Sequence, residues 1–155
     1  MGKISAKLRE LGVELPLAAK PVANYVPWVL SGNLVFVAGQ IPLLNGKPQF
    51  LGQLGTTVTL ENGVAAARLC AINMLAQLNE ACGSDLDRIV RIVKLVGFVN
   101  CGPAFTDIPK VVNGASDFIV EVFGDAGKHA RSSVGASSLP LGVPVEVEAI
   151  VELRI

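Results

Sequence analysis

Charge is scarce in this chain. Only 17% of its 155 residues are Asp, Glu, Lys or Arg, below the quarter or so of an average soluble domain, and thirteen basic residues balance thirteen acidic ones. A zero balance excludes the broad positive field that draws proteins to nucleic acid or anionic membrane. Histidine occurs once, at His129, and the three cysteines, Cys70, Cys82 and Cys101, have no metal-type spacing. No transition-metal centre is therefore expected, and an odd, scattered set of thiols reads as reduced, intracellular and cytoplasmic. No apolar run reaches the ~18 residues that span a bilayer, and MGKISAKLRE lacks the apolar core of a signal peptide. The signatures GxSxG, HExxH and CxxC are missing, as are phosphate-loop and dinucleotide fingerprints.

What the chain has is apolar residues, 51% of the total. The length suits one domain with a substantial core, and so little charge leaves apolar surface to be covered by other copies. Ile4, Leu8 and Leu11 share a helical face in a short N-terminal turn or two. YVPWVL and LVFVAGQ flank Ser31-Gly32-Asn33, a hairpin signal in which Pro27 implies an edge strand or a bulge. A loop with Asn45-Gly46 as its tight turn follows. Thr59 is a cap candidate for a helix over about Leu60 to Ala81, which Gly83 stops. Residues 89–99 read as a strand, about Pro109 to Phe123 as a second helix ended by Gly124, and ARSSVGAS and VPVEVEAIVEL as strands around a Leu139-Pro140 corner. Two helices against one mixed sheet make an α+β sandwich. Both alternate sets of residues 89–99 are mainly apolar, so one sheet face should meet the helices and the other a neighbouring copy.

Candidate chemistry gathers on Arg131 and the glutamates. Alternation puts Arg131, Ser133 and Gly135 on one side of their strand, and Glu146, Glu148, Ile150 and Glu152 on one side of the last strand. Arg131 either pairs a glutamate across strands on a solvated face or, in a cleft between subunits, serves as a bidentate carboxylate receptor beside a partly desolvated glutamate that holds a water. Tyr25 and Trp28 read as packing residues and His129 as a surface or cap histidine. Asn113-Gly114 is a poor helical pair, which suggests a local hydrogen-bonding role for Asn113.

FVAGQIPL, KLVGFVN, VNGASDF, ARSSV and LPLGVPVEVEAI, in this order and spacing, resemble the RidA/YjgF family of reactive-intermediate deaminases, over roughly Tyr25 to Leu153. The resemblance implies one chorismate-mutase-like domain over 1–155 with an N-terminal extension over 1–20. It also implies a homotrimer with clefts between subunits, and hydrolysis of 2-enamine and 2-imine acids to 2-keto acids and ammonia without a cofactor. The family's carboxylate-binding arginine falls on Arg131 and its water-associated glutamate on Glu146. Tyr25, Gly39 and Asn113 are retained as substrate-binding positions. Ala38 replaces a serine usual in the family, and Ser133 a cysteine. A non-catalytic carboxylate-binding or regulatory protein is the alternative. RNA cleavage, also attached to the family, is disfavoured by zero net charge and only eight aromatic residues.

Overall fold

The computed structural model describes residues 2–154. Its elements are α1 (Lys3–Glu10), β1 (Trp28–Ser31), β2 (Leu34–Gln40), β3 (Leu43–Leu44), β4 (Lys47–Pro48), α2 (Leu60–Ala81), β5 (Ile89–Asn100), α3 (Ile108–Phe123), β6 (Ala130–Ala136) and β7 (Val145–Leu153). Five strands form one mixed sheet in the order β1-β2-β7-β5-β6. Only the β5–β6 pair is parallel, and α3 makes its crossover. The predicted α+β architecture is the one observed, and the apolar spacing located every main element. A short β3–β4 hairpin occupies part of the expected loop, turning at Asn45 and Gly46 with φ of 50° and 75°.

Local chemistry sets the boundaries. The Thr59 hydroxyl accepts the Asn62 N–H at 3.2 Å and starts α2, and Gly83, at φ 65°, ends it. Pro27 precedes β1, which is an edge strand as its position implied. The N-terminal segment is fastened to the body: the Asp87 carboxylate accepts the Lys3 and Ile4 N–H groups at 2.7 and 2.9 Å, and Leu8 is buried. Those two bonds hold Asp87 below the usual carboxylate range.

The core lies between the helices and one sheet face. Val35, Val37, Leu95, Val147 and Val151 meet Ala67, Met74, Leu75, Val112 and Phe118, all buried. Helices α2 and α3 approach unusually closely at Gly114, where an added Cβ would overlap the carbonyl oxygen of Val64. The poor helical propensity of Gly114 thus serves helix packing. Across the opposite face run Val29 and Phe36, each about half exposed, and half-buried Val96, Phe98 and Ile150.

Candidate functional site

Arg131 stands on the edge strand β6, paired in register with Leu95, whose side chain points into the helix-side core. Arg131 therefore emerges on the helix side and lies along α3. Its Nη1 donates to Asn113 Oδ1 at 2.8 Å and to Ser116 Oγ at 3.2 Å, and its Nη2 donates to the Pro109 carbonyl at 3.4 Å. Positions 109, 113 and 116 form one stripe of a helix at 3.6 residues per turn, so a single extended side chain reaches all three. All three acceptors are neutral. Among the described residues no carboxylate pairs with this guanidinium, and two of its five N–H donors, Nε–H and one Nη2–H, remain uncommitted.

Glu146 lies elsewhere. In the antiparallel β5–β7 pair, Glu146 sits opposite Phe98 and Glu148 opposite Val96, one residue out of phase with Leu95 and Gly97. Within one chain the guanidinium and the Glu146 carboxyl thus occupy opposite faces of the sheet. The expected cross-strand pair between Arg131 and a glutamate is not formed, for two reasons: β5 separates β6 from β7, and the registers give the two side chains opposite parity. Nor does one chain by itself hold Arg131 and Glu146 in a shared cleft.

Glu146 is half-buried, and burial, with a smaller contribution from Glu148, pushes its carboxyl above the ordinary glutamate value. It packs on the backbone of Gly39. A Cβ there would overlap its Oε1 and stand 2.8 Å from its Cδ. Ala38 and Gly39 occupy the register shift between Val37 and Gln40, a bulge that bends β2 at this point. The Ala38 N–H donates to the Pro27 carbonyl at 2.9 Å, which fixes the segment carrying Tyr25 beside the bulge, and Tyr25 itself is exposed. An apolar cleft of about 290 Å³ on this face is lined by Val26, Trp28, Phe36, Ala38, Lys94 and Glu148. Glu146 lies just beyond it, next to Gly39.

The predicted residues therefore fall into two groups. Arg131, Asn113 and Ser133 share the β6–α3 edge; Glu146, Gly39, Ala38 and Tyr25 gather around the bulge. The hydroxyl of Ser133 is buried and has no hydrogen-bond partner among the described residues. Two further residues join the first group. Ser116 carries one signal, its place on the Pro109–Asn113 stripe. His129, expected at the surface or in a cap, is half-buried, with Nδ1 2.6 Å from the Gly127 carbonyl and Nε2 2.9 Å from Ser116 Oγ. Among the described residues no three His, Cys, Asp or Glu side chains converge as metal ligands, and no helix is long and apolar enough to cross a membrane.

Comparison with known proteins places these features in context. The family model described as "YjgF/chorismate_mutase-like, putative endoribonuclease" matches residues 5–153. Protein TCP17 of Trypanosoma cruzi is 49% identical over 99% of this chain and 96% of its own length. A 2-iminobutanoate/2-iminopropanoate deaminase of Dermatophagoides farinae is 27% identical over 92% of this chain and 95% of its own. The crystal structure of protein Atu1372 from Agrobacterium tumefaciens, of unknown function, superposes with a TM-score of 0.93 at 46% identity, covering 98% of this chain and 93% of that one.

Proposed function

This chain belongs to the YjgF/RidA, chorismate-mutase-like family, and on that premise we propose that it hydrolyses 2-imine acids, and 2-enamine acids after tautomerisation, to 2-oxo acids and ammonia, at sites completed between copies of the chain. The observation that carries this reading is the guanidinium of Arg131. It is held in place by neutral acceptors alone, so its full charge and two free donors are available to a substrate carboxylate. The distant deaminase relative supplies the substrate class.

Arg131 fixes the carboxylate, and with it the position of the adjacent C=N carbon. Glu146, ionised, takes a proton from a water as the water oxygen bonds to that carbon. The C=N π electrons of the protonated imine move to nitrogen, giving a neutral tetrahedral carbinolamine. Glu146 returns its proton to that nitrogen, the C–N bond breaks, and ammonia departs as the carbinolamine hydroxyl gives its own proton to the Glu146 carboxylate and the C=O forms. A raised carboxyl pKa suits the role, because the carboxylate is a stronger base than an ordinary glutamate. An imine is already a reactive electrophile, so positioning and electrostatics supply most of the acceleration.

One chain carries the anion receptor on its β6–α3 edge and the base on its open sheet face. Docking the β6 edge of one copy against the open face of the next unites them and covers the apolar band of Val29, Phe36 and Ile150. A closed ring of three such heterologous contacts is the arrangement we propose. A second reading, a carboxylate-binding protein without turnover, is favoured by Ala38, where no hydroxyl is available beside the bulge to hold the water.

The test generates 2-iminobutanoate in situ and follows its disappearance. The wild-type protein is expected to accelerate hydrolysis, and Arg131→Ala to lose that acceleration. Equal rates for the two proteins would remove the proposal, and binding of 2-oxobutanoate without turnover would establish the second reading.

A further inference from the structure

Beyond the groups that meet substrate, a chain of hydrogen bonds runs back from Arg131 into the body of the protein. The Gly127 carbonyl only accepts, so the 2.6 Å contact requires the proton of His129 on Nδ1. A neutral imidazole then presents a lone pair at Nε2, and the single proton of the Ser116 hydroxyl points to it across 2.9 Å. The lone pairs of Ser116 Oγ are thereby turned outward, where Arg131 Nη1 donates into them at 3.2 Å. With the imidazole neutral, each link has one sense: Arg131 donates to Ser116, Ser116 to His129, and His129 to Gly127.

A serine inside a helix has a competing option, donation to the carbonyl four residues back, here that of Val112. That choice withdraws Oγ toward the helix axis. His129, just before the strand that carries Arg131, accepts the hydroxyl proton instead. We propose that Ser116 and His129 are positioning residues for Arg131: together they fix its guanidinium in the orientation that receives the substrate carboxylate. The inference rests on Arg131 as the carboxylate receptor, and it accounts for the lone histidine of the chain, which the hydrolytic mechanism leaves unused.

Substitutions at 129 separate positioning from bulk structure. Gln reaches with its Oε1 the place of Nε2 and can accept from Ser116. Asn reaches only the place of Nδ1 and can donate to Gly127 but not serve Ser116. Leu does neither. Loss of one neutral hydrogen bond is worth about a 3- to 10-fold change in affinity. We expect His129→Leu, His129→Asn and Ser116→Ala each to raise KM for 2-iminobutanoate and Kd for 2-oxobutanoate by about that factor, with kcat changed less than about two-fold. His129→Gln should stay near wild type, and the double variant Ser116→Ala/His129→Leu should be no worse than either single change, because both remove one chain of contacts. Impairment of His129→Gln equal to that of His129→Leu, or penalties that add in the double variant, would overturn the proposal.

A second measurement does not depend on turnover or binding. In 15N spectra of the arginine side chains, rotation of the Arg131 guanidinium about its Nε–Cζ bond should quicken in His129→Leu and Ser116→Ala and stay slow in His129→Gln. Unchanged rotation in all three contradicts positioning. Should Arg131→Ala bind 2-oxobutanoate as wild type does, the receptor reading fails on its own account, and the rotation measurement still decides the role of Ser116 and His129.

Discussion

Replacing Gly39 by Ala is a one-carbon perturbation aimed at the proposed base. The new methyl group would overlap Glu146 Oε1 and approach its Cδ and Cγ to 2.8 and 2.9 Å, separations that carbon atoms do not tolerate. The obstruction is the far end of a flexible side chain on the open sheet face, so the carboxyl can rotate outward rather than force the strands apart. Overpacking of this kind costs about 1–3 kcal/mol, which for a chain of this length lowers the melting temperature by roughly 2–12 °C. The effect on chemistry should be larger. A general base contributes about 10²–10⁴-fold, and a carboxyl displaced into solvent both leaves the water and loses the burial that raises its pKa. We expect kcat/KM for 2-iminobutanoate to fall at least about 100-fold and the acid limb of its pH profile to move down toward the ordinary glutamate value of about 4.3. Gly39→Ala protein that folds yet keeps the wild-type rate and pH profile would refute the assignment of Glu146 and its packing on Gly39.

Other expectations follow from the same geometry. A carboxyl whose pKa is raised on folding binds more protons in the folded than in the unfolded chain between the two values, so its cost to stability appears as pH rises above about 4.3 and is complete above the folded value. Glu146→Gln should therefore melt higher than wild type near pH 7–8, an advantage that vanishes near pH 4; an equal gain at both pH values would show that the burial cost is not electrostatic. Asp87 has the opposite sign. Its folded pKa is depressed, so its support of α1 is present above the unfolded value of about 3.9 and fades as pH falls through the lowered one. Asp87→Ala should cost about 0.5–2 kcal/mol and raise amide exchange over residues 3–11 while leaving α2 protected, as hydrogen exchange with peptide resolution would read. Gly114→Ala drives a methyl group into the Val64 carbonyl, backbone against backbone, and should cost about 2–3 kcal/mol, seen as a drop of roughly 4–12 °C in the melting temperature at fixed protein concentration.

Much of the fold was legible because local signals and global packing agree. The Thr59 cap and Gly83 located α2 to the residue, and alternation assigned the faces of β6 and β7 correctly within each strand. What alternation cannot supply is the phase between strands. Residues 131–136 and 145–153, joined through the Leu139-Pro140 corner, look like neighbours, yet α3 carries β6 to the outer edge as a parallel partner of β5, and β7 returns to the inner side. That routing puts Arg131 and Glu146 on opposite faces, and no spacing in the sequence announces it. The Asn113–Gly114 pair carried two separate causes, an acceptor for Arg131 and a close approach of helices, which helical propensity alone could not divide. Ser116 carried no reading of its own, and His129 read as a surface or cap histidine, because their roles appear only once β6 lies beside α3.

The central claim is that Arg131 of one copy works with Glu146 of another, and subunit mixing tests it most directly. Arg131→Ala and Glu146→Gln proteins, each inactive alone, would be unfolded, mixed in equal amounts and refolded together, then assayed on 2-iminobutanoate. In a random trimer half of the sites receive an intact guanidinium and half of those an intact carboxylate, so about a quarter of wild-type activity should return. If both residues act from the same chain, no mixed site is whole, and activity that stays at the level of the separate variants would contradict the account.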